Sequence, residues 1–225
     1  MATALIPEFE VLNVVQLALD FIRKDYDAQL EPENSYLVRL LQGDGLKRYD
    51  FVTEAKKIFL ADIDDPRYLE AHLMFNFERA GAPTIHIVLP SEQTAEQNNG
   101  IGLDEGYDDY IFDDEQDPTT YTATFTREFQ SNYSIVITSE NTNEVILIYH
   151  VLRALLISLT QHLGLKGIRG IKLGGHDLSV NDKSFPQNIF FRAINMSLQY
   201  ETSCPDVVNH PIFKTITAKG TPINN

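Results

Sequence analysis

NTNEVILIYHVLRALLISLTQHLGLKGIRGIKLGGHDLSV, residues 141–180, decides the fold. Asn141-Thr142-Asn143-Glu144 reads as a helix start, where a short polar side chain caps free amides and Glu144 suits the positive first turn. Val145, Ile148, Tyr149, Leu152, Leu156, Leu159 and Leu163 then recur at helical spacing and make one broad apolar face. Gly164 is expected to close the helix, because glycine turns left-handed without steric cost. Beyond it, Ile168 to Val180 and Ile189 to Glu201 read as strands, joined by a polar turn containing Asn181, Asp182 and Pro186. Nothing in this unit offers a reactive centre.

Working outward, residues 8–28 carry Phe9, Leu12, Val15, Leu19 and Ile22 on one face of a first helix. Pro32 punctuates its end, and Ser35 to Leu41 reads as a short strand before the Gly43-Asp44-Gly45 turn. Phe51, Ala55, Ile58 and Phe59 fit helical spacing better than alternation, so residues 50–60 form a short helix or a strand. Leu69 to Phe77 alternates, as do Ile85, Ile87 and Leu89 after Gly81-Ala82-Pro83. The two segments are expected to pair as a hairpin. Thr120 to Phe129 and Tyr133 to Thr138 have strand character, with Gln130-Ser131-Asn132 as a hairpin turn between them. This order predicts a single α+β domain over residues 1–225, an antiparallel sheet packed by an N-terminal helix and a long central helix. The tail from 209 to 225 is weakly patterned.

Residues 91–120 break the pattern. Asp104, Glu105, Asp108, Asp109, Asp113, Asp114, Glu115 and Asp117 place eight carboxylates in fourteen positions without one Lys or Arg among them. Self-repulsion holds such a block open as a solvated arm. The interleaved Tyr107, Tyr110, Ile111 and Phe112 point to an arm that orders on a neighbour. A calcium site would want six to eight oxygens, which the block supplies, but its spacing does not match the twelve-residue calcium loop. Zinc has less support: Cys204 stands alone, and no two His lie four residues apart with an adjacent carboxylate. No metal and no cofactor are expected.

Charge narrows the partners. The net charge is −14, from 32 acidic and 18 basic residues in a chain of 225. Gripping DNA requires cations at the phosphates, and no basic tract is present. Solubility explains such acidity, and so does a DNA path that must not adhere. No unbroken apolar run approaches the roughly 20 residues that span a bilayer, and the N-terminus lacks the basic region of a signal peptide. Neither membrane insertion nor export is expected.

Enzyme readings fail individually. The segment Gly164 to Gly175 is glycine-rich and contains Lys166, Arg169 and Lys172, but it follows a helix and lacks a Gly-Lys-Ser/Thr ending. Cys204 is followed by Pro205 and has no basic neighbour to lower its pKa. His176-Asp177 has the composition of a general base with its orienting carboxylate, and equally that of a hydrogen-bonded turn. His86, among alternating apolar residues, reads as a side chain on the opposite face of its strand. The chain is not expected to be an enzyme.

Val145 to Leu159, the glycine-rich connection into Gly174-Gly175-His176-Asp177-Leu178, Phe185-Pro186-Gln187-Asn188-Ile189-Phe190-Phe191-Arg192-Ala193 and the strand to Tyr200 resemble, in that order, tail-terminator and neck (tail-completion) proteins of tailed bacteriophages. Glu78 to Glu92 is similar to a segment of large phage neck proteins, and together the patches cover roughly 85 of the 225 residues. The resemblance implies a structural virion protein at the head–tail junction, assembled in the host bacterial cytoplasm. It implies a homo-oligomeric ring, a hexamer or dodecamer, joined to other neck, portal or tail proteins. DNA would pass through it without specific binding. Rings need two different patches on each subunit. Tyr107, Tyr110, Phe112, Phe185, Phe190 and Phe191 are candidate contacts, with Arg153 and Arg192 as candidate cross-subunit or helix–sheet ion pairs. Tail terminators are often shorter than this chain, and residues 30–70 and 91–120 stand as additions to that plan. The alternative is a soluble acidic adaptor or calcium-binding domain unrelated to virions.

Overall fold

In the computed structural model, which describes residues 5–42, 49–75, 83–95, 109–111, 122–177 and 189–205, the start at Asn141 behaves as its chemistry dictates. The Asn141 side chain accepts from the Asn143 amide at 3.0 Å, and helix α4 runs Thr142–Leu165. Its buried side is wider than the heptad-like stripe suggests: Leu147, Val151 and Leu155 are buried as well as Val145, Ile148 and Leu152. The helix does not end at Gly164. It ends at Lys166, with Gly167 at φ +84°, where Gly167 N–H donates to Gly164 C=O and Ile168 N–H to Leu163 C=O. That bond pair is a Schellman cap, and the buried Leu163 and Ile168 bracket it. At 24 residues, with a mean hydropathy of 1.4 over its most apolar 18, α4 is long and apolar enough to cross a membrane by length and composition. Polar residues such as His150 and Arg153 interrupt it, and ten of its residues, Glu144 included, are buried within the protein.

The first helix, α1, spans Pro7–Ala28, but its buried face is Val11, Val14, Val15, Ala18, Leu19 and Ile22, while Phe9 is exposed. Residues 36–41 correct the strand expectation: Tyr36–Leu41 is a helix, α2. Leu37 and Val38 are both buried although adjacent, which a helix turn allows and strand alternation does not. Phe51–Phe59 is helix α3, started by Asp50, whose carboxylate accepts from the Thr53 hydroxyl and amide; those bonds hold its pKa below the usual value.

The strands are β1 Glu70–Leu73, β2 Thr84–Thr94, β3 Asp109–Ile111, β4 Thr122–Ser139, β5 Arg169–Asp177 and β6 Phe190–Pro205. The sheet order is β1-β2-β4-β6-β5, with β3 on β4. Two expectations are corrected here. β1 and β2 do pair, but in parallel, with His72 opposite His86, so the sheet is mixed and the pair is not a hairpin. Met74, at φ 60°, turns the chain as it leaves β1. Nor does the chain turn at Gln130-Ser131-Asn132: β4 runs straight through. Each of the three side chains bonds sideways, Gln130 to Ser197, Ser131 to Glu92 and Asn132 to Ser91, at 3.0–3.3 Å. Lacking glycine and proline, the triplet satisfies its polarity as a rung across three strands.

The α+β class holds. Helices α1 and α4 pack on each other, α1 against β1 and α4 against β5. On the sheet, Val136, Ile189, Phe191 and Ala193 form one buried cluster with Val88 against it. The chain divides into two compact units, one of residues 6–93 and 130–199, the other of 1–5, 94–129 and 200–225. In the second, β3 pairs antiparallel with Thr122–Thr124, Ala95 N–H donates to Glu128 C=O, and Phe129 stacks on Tyr200 at 5.9 Å. Most of the acidic block and the tail beyond Pro205 lie outside the described residues.

Candidate functional site

The first unit contains a sheet whose two ends differ in chemistry. At one end, β1 and α1 enclose a cleft of about 350 Å³. Consecutive residues from Tyr68 to His72 line it, both faces of the strand alike, so the cleft opens along the strand's edge. Arg23 of α1 anchors the wall. It donates to Tyr68 Oη at 2.8 Å and to the Phe59 and Leu69 carbonyls at 3.2 Å, stacks over the Tyr68 ring at 4.2 Å and reaches Asp20 at 3.6 Å. With its donors so engaged, Arg23 fixes the helix to the strand. Asp20 and Glu70 give the cleft its remaining charge. Glu70 bonds His72 at 3.1 Å, and the exposed Asp62, Asp64 and Asp65 stand just before β1. As a cleft these residues carried no sequence signal, because Arg23 and Tyr68 are 45 positions apart.

At the other end lies β5. Seven of its nine residues are exposed, an unusual state for a strand that normally buries one face. Lys166, Arg169 and Lys172 make this end basic, and all three are exposed. Gly170 at φ +59° sits in a register shift between Arg169 and Lys172. Farther along, Gly175 leaves room for Tyr149 of α4: a Cβ there would overlap the phenol oxygen. Arg192 of β6 stacks over the same ring at 4.7 Å and donates to Asp177 at 2.7 Å. Helix and sheet edge are thereby locked, within one subunit, by an arginine the sequence singled out and a tyrosine it placed only on the apolar face. His176 bonds Asn195 at 3.0 Å and Asp177 faces Arg192, so this dipeptide lies on a strand with its two side chains bonded to separate β6 partners.

Of the other candidates, Phe190 is 43% exposed on β6, whereas Phe191 is 7% exposed and spent on the core cluster. Strand alternation sends the two to opposite faces. Arg153 is exposed on α4. Asp109 and Tyr110 belong to β3 by their backbone. Tyr107, Phe112, Phe185, Asp104, Glu105, Asp108, Asp113, Asp114, Glu115 and Asp117 lie outside the described residues. Among the described residues, no three His, Cys, Asp or Glu are grouped to hold a metal ion.

One buried histidine stands apart. His86 of β2 is 1% exposed, with Nε2 3.3 Å from the Thr138 hydroxyl, which itself donates to the Thr84 carbonyl, and with the Phe75 ring at 5.3 Å. Burial pushes its pKa down to about 4. It does lie on the face opposite Ile85 and Ile87, but that face is buried too.

Compared with known proteins, the chain matches no family model and no curated sequence at a significant level.

Proposed function

We propose that this protein is a structural virion component that forms a ring at the head–tail junction of a tailed bacteriophage, as a tail terminator or neck ring around the DNA path. One observation carries the reading furthest. Among the described residues the sheet is open, and its two ends, β1 and β5, are unlike in sequence, length and charge. A subunit that closes a ring needs two such different patches, since a head-to-tail contact repeats by rotation. The segments that resemble phage neck proteins supply α4, β5 and β6, which hold one of these ends. The net charge of −14 suits a channel that DNA traverses without adhering. The partners are then further copies of this chain, in a hexamer or dodecamer, and the portal, neck or tail proteins above and below.

Cryo-electron microscopy of the purified chain, and of virions that carry it, tests this. Closed rings on the DNA axis are the expected result. A chain that stays monomeric at every concentration and has no place in a virion refutes it.

A further inference from the structure

The proposed ring leaves open which surfaces meet. We infer that β5 of one subunit seats in the α1–β1 cleft of the next, continuing the sheet from copy to copy. This rests on the ring reading and goes beyond it by assigning the junction.

Three observations converge. The first is edge position. Met74 N–H donates to Ile87 C=O, which fixes the parallel ladder: Glu70, His72 and Met74 turn their backbone groups toward β2. Leu69, Ala71 and Leu73 therefore turn theirs away from the sheet, and Arg23 takes the Leu69 carbonyl. The Ala71 and Leu73 amides and carbonyls face the side on which no described strand pairs, where an added strand would bond. At the far end, β5 is flanked among the described strands only by β6, and its alternate amides likewise face away from it.

The second is strand direction. β1 is parallel to β2. The pairings Ser91–Asn132 and Glu92–Ser131 make β2 antiparallel to β4, and Gln130–Ser197 and Ser134–Asn195 make β4 antiparallel to β6. β6 is antiparallel to β5. Hence β1 and β5 run in opposite senses. A neighbour generated by a rotation that preserves strand direction meets β1 with an antiparallel β5, the slightly more stable pairing.

The third is charge. The cleft is lined by Asp20 and Glu70 together with Arg23, which Asp20 pairs, and Asp62, Asp64 and Asp65 precede β1 in the chain, while the incoming strand carries Arg169 and Lys172 with Lys166 just before it. In a chain with 18 basic and 32 acidic residues, this concentration of cations on one sheet edge complements the concentration of acids at the other.

Charge exchange between chains tests the assignment. One variant carries Asp20→Lys and Glu70→Lys, a second carries Arg169→Glu and Lys172→Glu, and each is checked for native circular dichroism. Sedimentation velocity of each alone is expected to show self-association weakened about tenfold or more per junction, as like charges replace opposite ones. An equimolar mixture should recover rings, because every junction between unlike chains again pairs acid with base. A misfolded variant would not be rescued by mixing. If the wild type forms rings and both variants do so unimpaired, or if folded variants are not rescued on mixing, the edge assignment is wrong while the ring stands. If the wild type forms no ring, the ring reading falls and takes the assignment with it.

Discussion

Replacing His86 isolates a pH dependence that the fold creates. The ring is buried, with the Thr138 hydroxyl at Nε2 and that hydroxyl donating on to the Thr84 carbonyl, Phe75 beside it, and His72 of β1 directly across, itself bonded to Glu70. Burial is the main cause that depresses its pKa from 6.5 to about 4; a hydrogen bond to the Met74 backbone works the other way, and the His72 charge adds to the depression. The unfolded chain therefore binds a proton on this residue at higher pH than the folded one. Stability is fully present above pH 6.5 and is lost as pH falls from 6.5 toward 4, below which the contribution is flat. At about 1.4 kcal/mol for each tenfold change in proton affinity, the interval bounds the loss at about 3 kcal/mol.

Urea unfolding of the wild type and of His86→Gln, each at pH 7 and pH 4, reads this directly. Glutamine keeps a donor for Thr138 but does not titrate, so its lower stability at pH 7 is immaterial; the difference in slope is the observable. The wild type is expected to lose about 2–3 kcal/mol more than the variant over that interval. The 32 carboxylates titrate alike in both chains and cancel. Equal losses would mean that His86 is solvated or protonated in the fold, and the account of the β1–β2–β4 packing would be wrong.

Gly175→Ala drives a methyl into the Tyr149 hydroxyl and should cost about 1–3 kcal/mol by overpacking, measured by thermal melting; Tyr149→Phe in the same chain should recover part of the loss. Asn141→Ala removes the α4 cap and should cost about 1 kcal/mol in urea unfolding, without altering the denaturant slope. Met74→Gly relieves a left-handed residue and is expected to raise the melting temperature, through a gain of up to about 1 kcal/mol; a lower melting temperature would show that the Met74 backbone is unstrained. Arg23→Lys keeps the charge but loses the fork that spans Phe59, Tyr68 and Leu69. It should loosen α1 from β1, read as faster amide exchange at Glu70 to Leu73 with helix content retained.

What was legible in the sequence was local. The 141–180 stretch announced α4 and its cap because one asparagine and one run of apolar residues suffice, and α1 declared itself by the same periodicity. Glycine 164 misled because two glycines compete there, and the cap chooses the one whose successor, Ile168, buries against Leu163. Residues 36–41 misled because six residues are too few to separate helix from strand by period. The Gln130-Ser131-Asn132 triplet looked like a turn from its polarity, yet its partners Glu92, Ser91 and Ser197 are about 40 to 67 positions away. The α1–β1 cleft was illegible for the same reason: its chemistry is made by Arg23 meeting residues from another segment.

An exposed strand edge is normally guarded, by a bulge, a short strand or an inward charge, against pairing with the wrong chain. Both ends of this sheet carry such devices: β1 has four residues and an arginine on its first outward carbonyl, while β5 has a register shift at Gly170 and lysine at 172. These devices do more than forbid. On the proposed junction, a four-residue edge walled by α1 would admit one strand from one direction, and Asp20 and Glu70 beside it would favour a strand that brings cations. The shift at Gly170 confines regular pairing on β5 to Lys172–Asp177, six residues, close to the length β1 offers. Guarding against indiscriminate pairing and selecting a single partner are thus the same physical arrangement, and a head-to-tail subunit needs both, since an edge that accepts any strand builds fibres and not rings.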